Sequence, residues 1–130
     1  MVDTNIRDMA HLMRRAGFGA TREELDSRAA TGYEATVEEL LHPEEQEPVD
    51  INELLRYHPW MSYPGTLSGM GSTSWLHRMI NTKAPLQEKM ALFWHQLFAT
   101  GVSKVDHWHE ITYMVDMFRE KGLGSYRELL

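Results

Sequence analysis

Glu88 and His95 are the two residues whose type and spacing could do chemistry. Both lie in the most apolar stretch of the chain, residues 84–105. A histidine on a helix can bind a metal ion or exchange a proton near neutral pH. Because they are separated by nearly two helical turns, the two side chains share one helix face, about 10 Å apart along its axis. They are therefore the candidates for a catalytic acid–base pair.

A metal site at His95 would need further ligands, and two more histidines follow the turn after this helix. His107 and His109 are two residues apart, so on a helix they point in directions that differ by roughly 200°, and at most one can join His95. No His-x3-His pair occurs in the chain, although that spacing places two metal ligands on one helix face. The alternative interpretation needs no cofactor: His95 is hydrogen-bonded to a backbone carbonyl, and Glu88 is paired with an arginine.

Composition excludes several classes of function. The chain has 130 residues, 13 basic and 19 acidic, for a net charge of −6. This balance opposes binding to nucleic-acid phosphates or anionic lipids, which depends on Lys and Arg. The absence of cysteine excludes thiolate catalysis and cysteine-ligated metals. Arginines at predicted helix ends could bind an anion, but helix-end or ion-pair roles are the preferred interpretation for Arg14, Arg15 and Arg78.

Location is predicted from what the chain lacks. No apolar run approaches the roughly 20 residues of a membrane span, and the first residues contain no apolar signal region. We therefore predict no membrane span and a cytoplasmic protein.

The central helix is predicted over residues 85–100. Pro85 suits a first helical position, and Gly101 suits the position after the helix. One apolar stripe follows at the spacing of a single helix face, formed by Leu86, Met90, Phe93 and Leu97. Further apolar residues, Leu92, Trp94 and Phe98, widen it. The pattern predicts a helix that is mostly buried.

Further helices are predicted around this one. Asp3, Thr4 or Asn5 could cap the first helix, and Thr21 with Glu24 forms a capping box for the second. Gly32 separates the second from the third, and one of residues 72–74 caps another after a long loop at 57–71. The chain is therefore predicted to be a single all-α domain over residues 1–130, an irregular bundle of about six or seven helices.

The end of the chain carries a second capping box, Ser125 to Glu128, with only Leu129 and Leu130 after it. A helix of one turn does not sustain itself, because helix nucleation is costly. Many apolar residues lie in this segment, namely Trp108, Val115, Phe118, Tyr126, Leu129 and Leu130. We expect an exposed apolar patch here, self-association through it, and a chain that is the truncated part of a larger domain.

Three segments together resemble a known family. They are residues 10–21 (AHLMRRAGFGAT), 84–95 (APLQEKMALFWH) and 123–130 (LGSYRELL). They are similar, in the same order, to the opening and middle of the bacterial DUF1800 family. The resemblance implies a helical, uncharacterised protein and the N-terminal third of a larger DUF1800-like domain. Many members look exported, which this chain does not support.

Two functions are compatible with these observations, and whether the chain is an enzyme stays open. The preferred hypothesis is a structural or interaction module that docks with the remainder of its domain or with a partner protein. The alternative is a metal-dependent or acid–base enzyme site, with Glu88, His95 and His107 or His109 completed by residues beyond 130. The family's expected Asn-His is replaced here by Gln96-Leu97, which removes a second histidine from the helix.

Overall fold

The computed structural model describes residues 2–57, 68–98, 100–101, 105 and 108–130. These residues form seven α-helices and no strand, which confirms the all-α prediction. The helices are α1 (Val2–Ala16), α2 (Arg22–Thr31), α3 (Tyr33–Leu41), α4 (Ile51–Tyr57), α5 (Ser68–Asn81), α6 (Pro85–Phe98) and α7 (Trp108–Lys121). Single 3-10 turns follow α3 and α7, at Pro43–Glu45 and Tyr126–Leu129. Among the described helices, none combines the length and apolar character that crossing a bilayer requires.

The predicted ends of α2 are confirmed. Thr21 Oγ1 accepts a hydrogen bond from the Glu24 amide at 3.2 Å, and Gly32 ends the helix with φ of 112°, which glycine adopts readily. The carboxylate of Glu24 does not return to Thr21. It accepts a hydrogen bond from Arg28 Nε at 2.9 Å, one turn later.

Two predicted helix starts are wrong. Helix α1 begins at Val2, so Asn5 lies inside it and its amide donates instead to the Ala29 carbonyl at 3.2 Å. Helix α5 begins at Ser68 rather than at residues 72–74. Its packing against α4, α6 and α7 outweighs the low helix propensity of its glycines. The loop predicted over 57–71 lies mostly outside the described residues.

Two apolar clusters form the core, and α6 contributes to both. The first cluster consists of Met13, Ala16 and Leu40, with Leu12, Ala20, Leu25 and Leu86 against them. The second cluster consists of Ala91, Phe118 and Leu129, with Trp75, Trp94, Phe98, Met114 and Met117 against them. Helix α6 contacts α1, α3, α5 and α7. It therefore links the two halves of the core.

The apolar stripe of α6 is covered at its beginning but not at its end. Leu86 packs against the first cluster, whereas Phe93 and Leu97 are 50% and 58% exposed. We call Phe93 and Leu97 the exposed stripe. The fully buried residues of α6 are Glu88 and Ala91, on another face. Burial of the whole helix is therefore not confirmed.

The final segment covers the second cluster, so the expectation that its apolar residues are uncovered is wrong for Val115, Phe118 and Leu129, which are all buried. The Ser125 amide donates to the Glu128 carboxylate at 3.2 Å, which holds the last turn. Its Tyr126 ring stacks on Phe98 with centroids 6.5 Å apart. The short turn persists because side chains of α6 and α7 support it.

Candidate functional site

Glu88 is a buried carboxylate with both oxygens engaged. Its side chain has no exposed surface. Arg119 Nε of α7 donates to Oε1 at 2.7 Å, and Trp75 Nε1 of α5 donates to Oε2 at 3.0 Å. A buried charge is stable only with such a cation and such donors. The predicted pairing of Glu88 with an arginine is confirmed, and this triad joins α5, α6 and α7.

Arg119 also faces a second carboxylate. Its Nη1 lies 3.5 Å from Asp116 Oδ1, on the preceding turn of α7. The Asp116 side chain is 44% exposed, so solvent weakens this contact. The backbone adds a further link between α6 and α7, because Gln87 Nε2 donates to the Arg119 carbonyl at 3.1 Å.

His95 contacts the same indole as Glu88. The rings of His95 and Trp75 meet edge to face, with centroids 5.3 Å apart. The Trp75 N–H meanwhile bonds to Glu88. Trp75 therefore contacts both predicted catalytic residues. Within the described residues, His95 shows this ring contact but not the backbone hydrogen bond that one interpretation predicts.

A cavity of about 240 Å³ lies between α5, α6 and α7. We call it the α5–α7 cavity. His95 lines it, and Glu88 is not among its lining residues. The charged groups of the cavity are Arg78 on α5 and Asp116 and Arg119 on α7. The two predicted catalytic residues therefore lie in different environments: His95 is in the wall of the cavity, and Glu88 is in the buried triad.

Arg78 differs from Arg119 in its partners. Among the described residues, no carboxylate lies within ion-pairing distance of Arg78, whereas Arg119 has two. Burial and the positive charge of Arg119 lower the pKa of Arg78, and the charges of Asp116 and Glu88 only partly oppose this. Arg78 is thus a half-buried cation that no carboxylate contacts in the part of the chain that the structure describes.

The described residues do not form the predicted metal site. His107 and the side chain of His109 lie outside them. In the ranges that the structure covers, no group of three His, Asp or Glu side chains could hold a metal ion. Of the predicted ligands only His95 is placed, and the metal site stays a prediction.

Sequence reasoning missed three residues of this region, namely Trp75, Asp116 and Arg119. Arg119 pairs with a carboxylate 31 positions away, and helical periodicity carries no information about such a distant partner. One signal was available: a glutamate on the apolar side of a helix requires a buried cation. That signal predicts an arginine but does not identify which one.

Comparison with known proteins gives one match. A family model described as "Protein of unknown function (DUF1800)" matches residues 11–130, most of the chain. No curated protein and no solved structure matches it.

Proposed function

Because the chain belongs to the DUF1800 family, whose description assigns no activity, we propose a function from its surface: it is a helical interaction module. The observation that carries the proposal is the exposed stripe on α6. A helix that is packed on its other faces leaves Phe93 and Leu97 half exposed. A contiguous exposed apolar patch marks an interaction site, and Phe93 and Leu97 lie one turn apart on the same face.

The chemistry of the exposed stripe selects its partner. Phe93 and Leu97 are four residues apart, the spacing by which one helix anchors on an apolar helix or groove. The surrounding half of α6, residues 91–98, contains no Asp, Glu, Lys or Arg. The complementary surface is therefore the apolar face of another helix. In a DUF1800-like domain, a further helix of that domain would supply it.

In the isolated chain, a second copy offers the same stripe. Two identical stripes can pair across a two-fold axis, with Phe93 of one copy against Leu97 of the other. A net charge of −6 makes two copies repel each other. Since the second half of α6 carries no charged side chain, this repulsion acts away from the proposed contact.

Sedimentation velocity of the 130-residue chain tests the proposal. We expect concentration-dependent association of the unmodified chain and a monomer for Leu97→Glu, because a carboxylate in the stripe would have to be desolvated. Leu130→Glu is the matched control, since Leu130 is also exposed, by 81%, but lies at the end of the chain. It should associate like the unmodified protein. A monomeric parent chain, or a Leu97→Glu variant that associates equally, would refute pairing of two copies through the exposed stripe.

A second candidate function is the acid–base or metal site, which the position of His95 in the wall of the α5–α7 cavity favours. Metal analysis of the purified protein separates it from the first. A stoichiometric divalent metal that is lost in His95→Ala, with unchanged circular dichroism, would support a metal enzyme. A metal content near zero in both proteins would leave the interaction module as the better account.

A further inference from the structure

We propose that the α5–α7 cavity binds a small organic monocarboxylate. Its carboxylate would meet Arg78, and its apolar part would lie against Trp75, Ile111 and Val115. These four residues line the cavity from α5 and α7. Arginine suits this role because its planar N–H groups match the two oxygens of a carboxylate.

The charge of Arg78 is the first support. Removing a cation from water costs free energy unless a partner compensates it. Within the described part of the chain Arg78 has no carboxylate in contact, while the neighbouring Arg119 is held by Glu88 at 2.7 Å. Burial is the main cause that lowers the pKa of Arg78. A bound carboxylate would offset this cost through its attraction to the guanidinium.

The carboxylates near Arg78 favour a ligand with one negative charge over a ligand with two. Asp116 lines the same cavity, and Glu88 lies behind Arg119. Both carboxylates contact Arg119 rather than Arg78, so they leave Arg78 without a contacting anion among the described residues while repelling any added negative charge. A phosphate dianion would add excess negative charge beside Asp116, whereas a monocarboxylate adds only one.

The space and lining of the cavity indicate the size of the ligand. Its volume of about 240 Å³ lies just below the range of cavities that hold drug-sized molecules. Gly71 contributes to this space. A Cβ atom built on Gly71 would meet Thr112 Oγ1 at 3.8 Å, an ordinary contact, so packing does not demand a glycine there. Glycine is nevertheless unfavourable in a helix, and a larger side chain would occupy the cavity.

Thermal unfolding with added carboxylates tests the proposal. The probes are sodium butyrate, hexanoate and benzoate, compared with sodium phosphate and sodium chloride at equal ionic strength. At ten times its Kd, a bound carboxylate should raise Tm by about 5 °C. Arg78→Gln should abolish this shift while the variant without ligand stays as stable as the parent chain or more so, because a desolvated charge is removed.

Two further variants control for fold and for charge. Arg56→Gln should keep the full shift, since Arg56 lies in the last turn of α4 as Arg78 does in α5, but it is exposed and away from the cavity. Gly71→Leu should remove the shift with both cavity arginines retained, because it fills the space. Circular dichroism confirms that each variant folds.

Three outcomes would overturn the assignment. The first is that none of the three carboxylates raises Tm beyond sodium chloride. The second is a shift that persists in Arg78→Gln or in Gly71→Leu. The third is a phosphate shift equal to that of the carboxylates, which would mean that the anion alone is recognised.

Discussion

At the scale of residues, the Glu88–Arg119 pair is where one substitution should matter most. Arg119→Met would leave a fully buried carboxylate without its cation, at a cost of about 3–5 kcal/mol in the free energy of unfolding. Urea denaturation followed by circular dichroism measures this cost. A loss below about 1 kcal/mol would contradict a stabilising role of the pair.

Two further variants isolate the buried charge as the cause. Glu88→Gln combined with Arg119→Met should recover part of the loss, because the uncompensated charge is gone and an acceptor for Trp75 remains. Arg22→Met removes a similar ion pair, but Arg22 and Asp26 are 73% and 51% exposed. It should change stability by less than about 0.5 kcal/mol.

His42 and Glu44 form a pair that pH should switch. Their hydrogen bond of 2.8 Å is the main cause that raises the pKa of His42 and lowers that of Glu44. The stabilising contribution of His42 is present below its unfolded pKa and is lost as pH rises through its raised folded pKa. That of Glu44 is present above its unfolded pKa and is lost as pH falls through its lowered one.

The ion pair should therefore stabilise the fold most at pH values above the lowered pKa of Glu44 and below the raised pKa of His42. An NMR titration of His42 checks it: Glu44→Gln should bring the pKa of His42 down towards its ordinary value. Glu45→Gln, which removes only a weaker charge interaction, should have a smaller effect. Equal pKa values in Glu44→Gln and the parent chain would contradict the pair.

The sequence predicts the partners of these residues unevenly. That Glu88 needs an arginine follows from its place on an apolar helix, and the structure confirms it. That Arg78 contacts no carboxylate among the described residues could not be predicted, because Arg119, its competitor for Glu88 and Asp116, lies on another helix. Local spacing determines which residues share a helix face, whereas helix packing determines which charges meet.

At the scale of elements, two phenylalanines on neighbouring helices should respond differently to truncation. Phe118 of α7 is 1% exposed and Phe93 of α6 is 50% exposed. Phe118→Ala should cost about 3–5 kcal/mol, as for a core aromatic. Phe93→Ala should cost about 1 kcal/mol, since half of its surface already meets water. Urea denaturation of both variants tests this; equal losses would mean that Phe93 is buried in solution.

Helix existence was predicted better than helix burial. Pro85, Gly32 and Thr21 act through backbone geometry and local hydrogen bonds, so the sequence determines where they start or end a helix. The apolar stripe of α6 led to the prediction of a mostly buried helix. Periodicity shows which residues share a helix face, but it does not show how far a neighbouring helix covers that face. The first cluster covers Leu86 and leaves Phe93 half exposed.

At the scale of the whole molecule, the last turn completes the core. Leu129 is 6% exposed and belongs to the second cluster, although it lies one residue from the end of the chain. The apolar count of this segment led to the expectation of an exposed patch. Tertiary contacts bury Val115, Phe118 and Leu129 instead. Tyr126 and Leu130 stay exposed, and the side chain of Trp108 lies outside the described residues. The apolar pattern of the sequence does not show which of these residues meet a neighbouring helix.

The position of α6 between the two clusters has a consequence for local opening of the structure. The amides around Ala91, which lie past the first turn of α6 and are hydrogen-bonded within the helix, should be among the most slowly exchanging, because their exposure requires the core around α6 to open. Helix α4, which has no buried residue, should exchange through local fluctuations much faster. Native-state hydrogen exchange would show this gradient, and equal rates in α4 and α6 would mean that the chain opens as one cooperative unit.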